Sequence, residues 1–249
     1  MIGLVGSGNM ARALARGWGE PVLCTDVLTD RAEALAAESG GEALAGNGEL
    51  ADRADLIVLC HKPAQLEDVA EQVGGRAKGV ISILGATPLQ RVKAAYGDTP
   101  VVRIMPSTPV EVGAGVSCHA RDAEADPELE RQAKELFGRV GPVISVEESQ
   151  IDAAMGLMSC APAYWALAVE AQVDAGVKAG VPAEIAEELV VGTMAGAAKL
   201  LRAKHFDTLA VRRQVMSPGG STARGLAALE AGGVRGAFDD AMQAVVGGR

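Results

Sequence analysis

The first residues able to do chemistry are Gly6, Gly8 and Ala11, in the stretch "GLVGSGNMARALARG". They form G-x-G-x-x-A directly after an apolar run and at the opening of a helical pattern. Gly6 permits a tight turn, and Gly8 lets a pyrophosphate approach the backbone. Ala11 lets the helix pack close to the strand, with its positive end toward the phosphates. The motif stands at the first turn of a chain that continues as strand, helix, strand, which favours dinucleotide binding over a purely structural glycine turn. Asp26, 18 residues after Gly8, ends the second apolar run at "CTD". A carboxylate there accepts hydrogen bonds from both ribose hydroxyls. It also repels a 2′-phosphate, by about 1–4 kcal/mol at 4 Å for effective dielectrics of 80 to 20. That leans toward NAD(H). The alternative is that Asp26, or Asp30, caps the next helix, and Arg31 is near enough in sequence to serve a 2′-phosphate.

Two further stretches carry candidate groups. In "CHKPAQ", Lys62 and Pro63 fall at the C-terminal end of a core strand, where open α/β sheets bind ligands. A surface lysine beside a helix-starting proline is the competing reading. In "MSPGGSTARGLAALEAGG" (Met216 to Gly233), Ser217, Gly219, Gly220, Ser221 and Thr222 directly precede an amphipathic helical pattern. Free N–H groups at a helix start, with hydroxyls beside them, make an anion cradle. The plain alternative is an N-cap, with Ser217 capping and Pro218 at the first helical position. A cap and an anion site are compatible.

The elements that must position these groups alternate through the first half. Strand-like runs "MIGLVG", "PVLCTD", "ADLIVLC", "GVISILG" and "PVVRIMP" are separated by helical patterns. Continuous apolar strands between helices predict a parallel, doubly wound sheet buried on both faces. "GAGVSCHA" and "GPVISVEE" predict two edge strands around an acidic helix that starts at Asp126–Pro127 and stops at Gly138. From about Glu147 strand patterns cease. Helices are expected over 149–179, 182–203, 206–215, 218–231 and 234–246. The chain reads as an α/β domain over 1–146 and an all-helical domain over 147–249.

Composition excludes several classes. The 249 residues carry a net charge of −9 and no lysine- or arginine-rich block, which argues against nucleic acid and anionic membranes as partners. Aromatics are 3% of residues, so the core is aliphatic. The four cysteines lack C-x-x-C spacing and the three histidines do not join them in zinc spacing, so no metal is expected. The uncharged run from Ala153 to Val169 is 17 residues long, but Gly156, Ser159 and Pro162 interrupt it. It reads as a buried helix rather than a membrane span. The N-terminus has no basic region and no cleavage site, so a cytoplasmic protein is expected.

Taken in order, "GSGNMA", "HKPAQ", "RIMPSTP", "APAYWALAVEAQVDAGVKAGVP", "GAAKLL" and "VMSPGGSTARGLAALE" resemble the pyrroline-5-carboxylate reductases across nearly the whole chain. The resemblance implies a Rossmann-type domain and a helical dimerisation domain, with the active site completed in a homodimer; some family members assemble dimers into decamers. It implies reduction of the cyclic imine 1-pyrroline-5-carboxylate to proline with NADPH or NADH. Carried over, Gly6, Ser7, Gly8, Asn9 and Met10 would touch the cofactor's phosphates. Lys62, Pro63 and Met105 to Pro109, including Pro106, would lie along the cofactor. Ser217, Gly219, Gly220, Ser221 and Thr222 would bind the substrate carboxylate. The chain departs from the family pattern at Ser107 (usually Asn), Met155 (usually Thr), Ser159 and Ala161 (both usually Gly), and Leu84 to Ala86.

Hydride reduction of an imine asks mainly for positioning, because the cofactor supplies the hydride and the product amine takes its proton from water. Thr108, with its neighbour Ser107, is the candidate hydroxyl for contact with the imine nitrogen. Three other functions compete. One is a reductase of a related cyclic imine acid. Another is a β-hydroxyacid dehydrogenase, which residues 149–170 disfavour because they contain no lysine. The third is a non-catalytic paralogue that keeps the fold and binds nucleotide.

Overall fold

The computed structural model describes residues 1–247. Its contacts divide the chain into two compact units, one of Met1–Pro162 and one from Ala163 onward. The first unit is built on an eight-stranded sheet: β1 (Ile2–Val5), β2 (Val22–Thr25), β3 (Glu42–Ala43), β4 (Leu56–Leu59), β5 (Val80–Ser82), β6 (Val101–Pro106), β7 (Ser117–Ala120) and β8 (Val143–Val146). The spatial order is β3-β2-β1-β4-β5-β6-β7-β8. All neighbours are parallel except β6 and β7. Helices α1 (Asn9–Trp18), α2 (Thr29–Ser39), α3 (Asn47–Arg53), α4 (Leu66–Val73), α5 (Leu89–Tyr96) and α6 (Pro127–Gly138) cover the faces, and α7 (Ile151–Met158) follows β8.

Alternate strand residues divide between two cores, as strands buried on both faces require. Ile2, Leu4, Val22 and Val58 join one cluster, with Leu14 and Phe137. Val5, Leu23, Ile57 and Leu59 join the other, with Leu66 and Val92. The sheet and its expected edge strands are present as anticipated. Asp126 caps α6 by accepting from Leu129 N at 2.8 Å.

Three expectations are corrected. β3 and α3 were not anticipated: a two-residue strand and a seven-residue helix are too short to show a period. The single helix expected over 149–179 is instead a 3₁₀ turn (Glu148–Gln150), α7, and α8 (Ala161–Lys178). Ser159 and Cys160 interrupt it just ahead of Pro162, which has no N–H to donate to the Met158 carbonyl and so cannot continue α7. α7 packs on the sheet, Ile151 and Met158 clustering with Met105, Cys118 and Ala120, so the compact unit extends past residue 146. The last correction is the helix expected from 218, which begins at Ser221.

The second unit continues with α9 (Ala183–Ala203), α10 (Thr208–Val215), α11 (Ser221–Ala231) and α12 (Val234–Gly247). Among its described residues Ala186 alone is buried. Trp165, Leu167, Leu189, Val191 and Phe238 are all roughly half exposed or more. Among the described residues no helix is long and apolar enough to cross a membrane.

One turn in the first unit holds strain. Ala86 adopts φ +53° and is exposed, a conformation that costs a residue with a Cβ about 1–2 kcal/mol. Ala86→Gly is therefore expected to stabilise the protein by about 1 kcal/mol, read as a higher urea midpoint at unchanged m-value. A lower midpoint would show that the turn is not strained.

Candidate active site

The chain order reverses between β1 and β4, which are neighbours at the centre of the sheet. A cleft of about 950 Å³ opens at their C-terminal ends, where open α/β sheets bind ligands. Gly6 makes the turn with φ +99°. A Cβ on it would lie 2.7 Å from both the Cys60 carbonyl carbon and the His61 nitrogen, so only glycine fits. A Cβ on Gly8 would meet nothing within 4 Å. Gly8 is also the N-cap of α1 and contributes no side chain to the cap. The free start of α1 thus faces open space, the arrangement a phosphate group requires.

Ser7, Asn9, Met10 and Asp26 line the same cleft, as do Lys62 and Pro63. Asp26 does not cap α2, whose N-cap is Leu28. Its carboxylate accepts from Ser7 N at 2.8 Å and from Leu28 N at 2.9 Å, which fixes it at the rim. Arg31 lines the cleft as well, and so does Arg12, whose guanidinium is engaged by Glu38 at 2.6 Å. Pro63 opens a 3₁₀ turn that leads into α4.

Sequence reasoning missed three residues here. Asn47 accepts from Thr25 Oγ1 at 2.6 Å and donates to Gln72 at 2.9 Å, bracing the wall. His61 is buried in the wall, with Nδ1 2.9 Å from the Lys62 carbonyl oxygen. Burial pushes its pKa below the ordinary histidine value, the contact with the Lys62 carbonyl opposing it. Gly17 lets α1 press on the 3₁₀ turn Thr108–Val112; a Cβ there would lie 2.1 Å from the Val110 carbonyl oxygen. That contact ties α1 to the "MPSTP" turn. A glycine inside a helix was the available signal for it.

The "MPSTP" residues fall at the end of β6 and in the turn after it. Met105 and Pro106 belong to β6 and are buried, Met105 in the cluster that includes Ile151 and Met158 of α7. The Ser107 hydroxyl both donates to Val116 O and accepts from Val116 N, each at 2.9 Å. Its single O–H and one of its two lone pairs are thus engaged within the turn, which Ser107 braces. Thr108 is exposed at the start of the 3₁₀ turn and keeps the candidate role.

In the second unit, Gly219 turns with φ +69° and Gly220 is the N-cap of α11, with no side-chain cap. Ser217 therefore does not cap the helix. Its carbonyl accepts from Gly220 N at 3.0 Å, and its Oγ stands 2.4 Å from where a Gly220 Cβ would be. Ser221 and Thr222 open the helix. Arg224, one turn along, donates to the Gly219 carbonyl at 2.7 Å and orders the loop.

A glycine turn at the switch point, an acid at the end of β2 and an open helix start define a Rossmann-type dinucleotide-binding domain. Residues 148–247 match the family model described as pyrroline-5-carboxylate reductase dimerisation. Residues 1–85 match that of NADP oxidoreductase, coenzyme F420-dependent. A pyrroline-5-carboxylate reductase of Synechocystis sp. is 35% identical over 98% of this chain and 94% of its own length. A solved pyrroline-5-carboxylate reductase from Coxiella burnetii superposes with a TM-score of 0.87 at 30% identity, covering 99% of this chain and 96% of that one. The Plasmodium falciparum pyrroline carboxylate reductase, solved with NADP bound, gives 0.87 at 26% identity, over 98% and 94%. The chain belongs to the pyrroline-5-carboxylate reductase family.

Proposed function

We propose that the protein reduces 1-pyrroline-5-carboxylate to proline with NADH or NADPH, as a step of proline biosynthesis. The cleft carries this reading, with Gly6 forced by backbone contact and Gly8 facing open space at the switch point of a chain related to these reductases along its length. Residues 1–146 bind the dinucleotide, and 147–249 dimerise and bind substrate. When bound, the reduced nicotinamide supplies the hydride. The chain's own part is to bind and orient: N–H groups at the start of α1 hold phosphate, Asp26 holds ribose, and Thr108 contacts the imine nitrogen. The start of α11, with Gly219, Gly220, Ser221 and Thr222, anchors the carboxylate through N–H and hydroxyl groups, and Ser217 shapes its turn. The nitrogen takes its proton from water, so no strong general acid is required.

The second unit supports a homodimer. Its apolar helices carry almost no buried residue in the single chain, and exposed apolar surface of this extent needs a partner. Four free cysteines fit a reducing, cytoplasmic setting. The test is one panel on the purified protein: oxidation of NADH and of NADPH with pyrroline-5-carboxylate and with a six-membered cyclic imine acid, alongside sedimentation. Turnover with the five-membered imine and a dimer or a multiple of it are expected. Cofactor binding without turnover on either imine would make the chain a non-catalytic paralogue. Preference for the six-membered ring would trace to Met155 and Ser159.

A further inference from the structure

The turn between β5 and α5 is held from outside itself. Gly85 lines the cleft. Ala86 beside it holds φ +53°, a backbone that a residue with a Cβ keeps only where its surroundings fix it. Thr87 is fully buried, and its Oγ1 donates to the Gly85 carbonyl at 3.1 Å. Pro88 is the N-cap of α5 and offers no side-chain acceptor. Leu89 N, at the start of that helix, finds its acceptor 59 residues away, in Glu148 Oε1 at 2.9 Å. The same oxygen accepts from Arg103 Nη1, and Arg103 is the register partner of Ser82, the last residue of β5. Glu148 is itself fixed by the turn around it: Glu147 N donates to Gln150 Oε1 at 3.0 Å, and Gln150 N to the Glu147 carbonyl at 2.8 Å. One carboxylate oxygen thus joins the strand beside the β5 turn to the helix after it. The position of that turn on the sheet indicates what it serves. Asp26 stands beyond β2, on one side of the Gly6 turn, and β4 and β5 lie on the other. A dinucleotide with one ribose at Asp26 and its phosphates at α1 carries its nicotinamide half toward β5.

We infer that Glu148 is a positioning residue of the reduction: by holding Leu89 N it sets the β5 turn, and Gly85 with it, where the nicotinamide half of the dinucleotide lies. The inference rests on the dinucleotide reading of the cleft. Two double variants isolate the contact, Arg103→Met with Glu148→Gln and Arg103→Met with Glu148→Leu. Both lack the buried guanidinium, and they differ in whether Leu89 N has an acceptor. Each is titrated calorimetrically with NADH and with ADP, and assayed for turnover of pyrroline-5-carboxylate, at a temperature where both are folded. The glutamine variant is expected to stay near the wild-type values. The leucine variant is expected to lose about tenfold in kcat, since a misplacement of about 1 Å can cost about 100-fold. It is also expected to bind NADH more weakly while its affinity for ADP is unchanged, a split that a merely structural role would not produce. In the wild type, exchange of the Leu89 amide hydrogen is expected to slow when NADH saturates the protein and to stay unchanged with ADP, because coupling between two sites is reciprocal. This readout stands if the leucine variant does not fold, or if the wild type binds without turnover. Leucine and glutamine variants alike in kcat and in their NADH-to-ADP affinity ratio, or a Leu89 exchange rate that NADH slows no more than ADP does, overturns the role of Glu148 while leaving the cleft assigned. A wild type that binds no dinucleotide overturns both.

Discussion

Glu148→Ala is expected to destabilise the protein by about 3–5 kcal/mol, the range found when one partner of a buried ion pair is removed. Arg103 stands in β6 with its side chain only 3% exposed, and its Nη1 meets Glu148 Oε1 at 2.5 Å. The same oxygen accepts from Leu89 N at 2.9 Å, at the start of α5. One carboxylate thus neutralises a guanidinium buried in the sheet and closes a helix start. Its loss strands the Arg103 charge away from water, and the Arg103 Nε already lacks a partner. The converse substitution is expected to cost less. Glu148 is 32% exposed against 3% for Arg103, and in Arg103→Met its carboxylate keeps Leu89 N, although its Oε2 is enclosed. Arg103→Met with Glu148→Gln is expected to be more stable than Glu148→Ala alone, because no buried charge remains. Urea unfolding of the three variants checks the order. A Glu148→Ala cost under about 1 kcal/mol, the level of a surface pair, would mean that Arg103 finds water. Because β6 runs directly into Ser107 and Thr108, kcat/KM is expected to fall with stability in Glu148→Ala.

What could be read from the sequence followed from how local each determinant is. The Gly6 turn, the Asp126–Pro127 cap and the doubly wound alternation are set by neighbours in sequence, and they stand as read. Ser107 was legible as a hydroxyl at the right turn. That Val116, nine residues later, engages its O–H and one of its lone pairs is a tertiary fact. Met105 illustrates the same limit: alternation along β6 says that it faces one side, but only the arrival of α7 shows that this side is core. Ser217 looked like a cap because Ser-Pro is a strong start signal. The two glycines after it let the chain turn once more, moving the helix start to Ser221. His61 gave no signal at all, since its burial exists only once the surrounding wall is closed. The small elements β3 and α3 lie below the length at which periodicity speaks.

The wild-type protein is expected to prefer NADH over NADPH by at least about tenfold in kcat/KM, and Asp26→Ser to erase or reverse that preference. The carboxylate is fixed by Ser7 N and Leu28 N, one bond to each oxygen, and so cannot swing away from an incoming 2′-phosphate. Repulsion between unit charges at 4 Å is about 1–4 kcal/mol, and each 1.4 kcal/mol is about tenfold. A phosphate carries more than one charge, which places the expected discrimination in or above that range. Among the described residues, two exposed cations on the cleft, Arg31 and Lys62, are available to offset it, and Arg31 is the nearer to Asp26 in sequence. Arg12 is held by Glu38, whereas Arg31 is exposed on the same rim. In Asp26→Ser the repulsion is gone and Arg31 remains, so the 2′-phosphate gains where the 2′-hydroxyl loses an acceptor. Asp26→Ser with Arg31→Ala is then expected to bind neither cofactor well, which separates the arginine's attraction from the carboxylate's repulsion. Raising the salt concentration is expected to narrow the wild-type preference, since an exposed charge pair is screened over about 10 Å at 0.1 M. A wild type that prefers NADPH tenfold would show that Arg31 outweighs Asp26 at the 2′ position, and Asp26→Ser would then raise NADPH use further without changing its order.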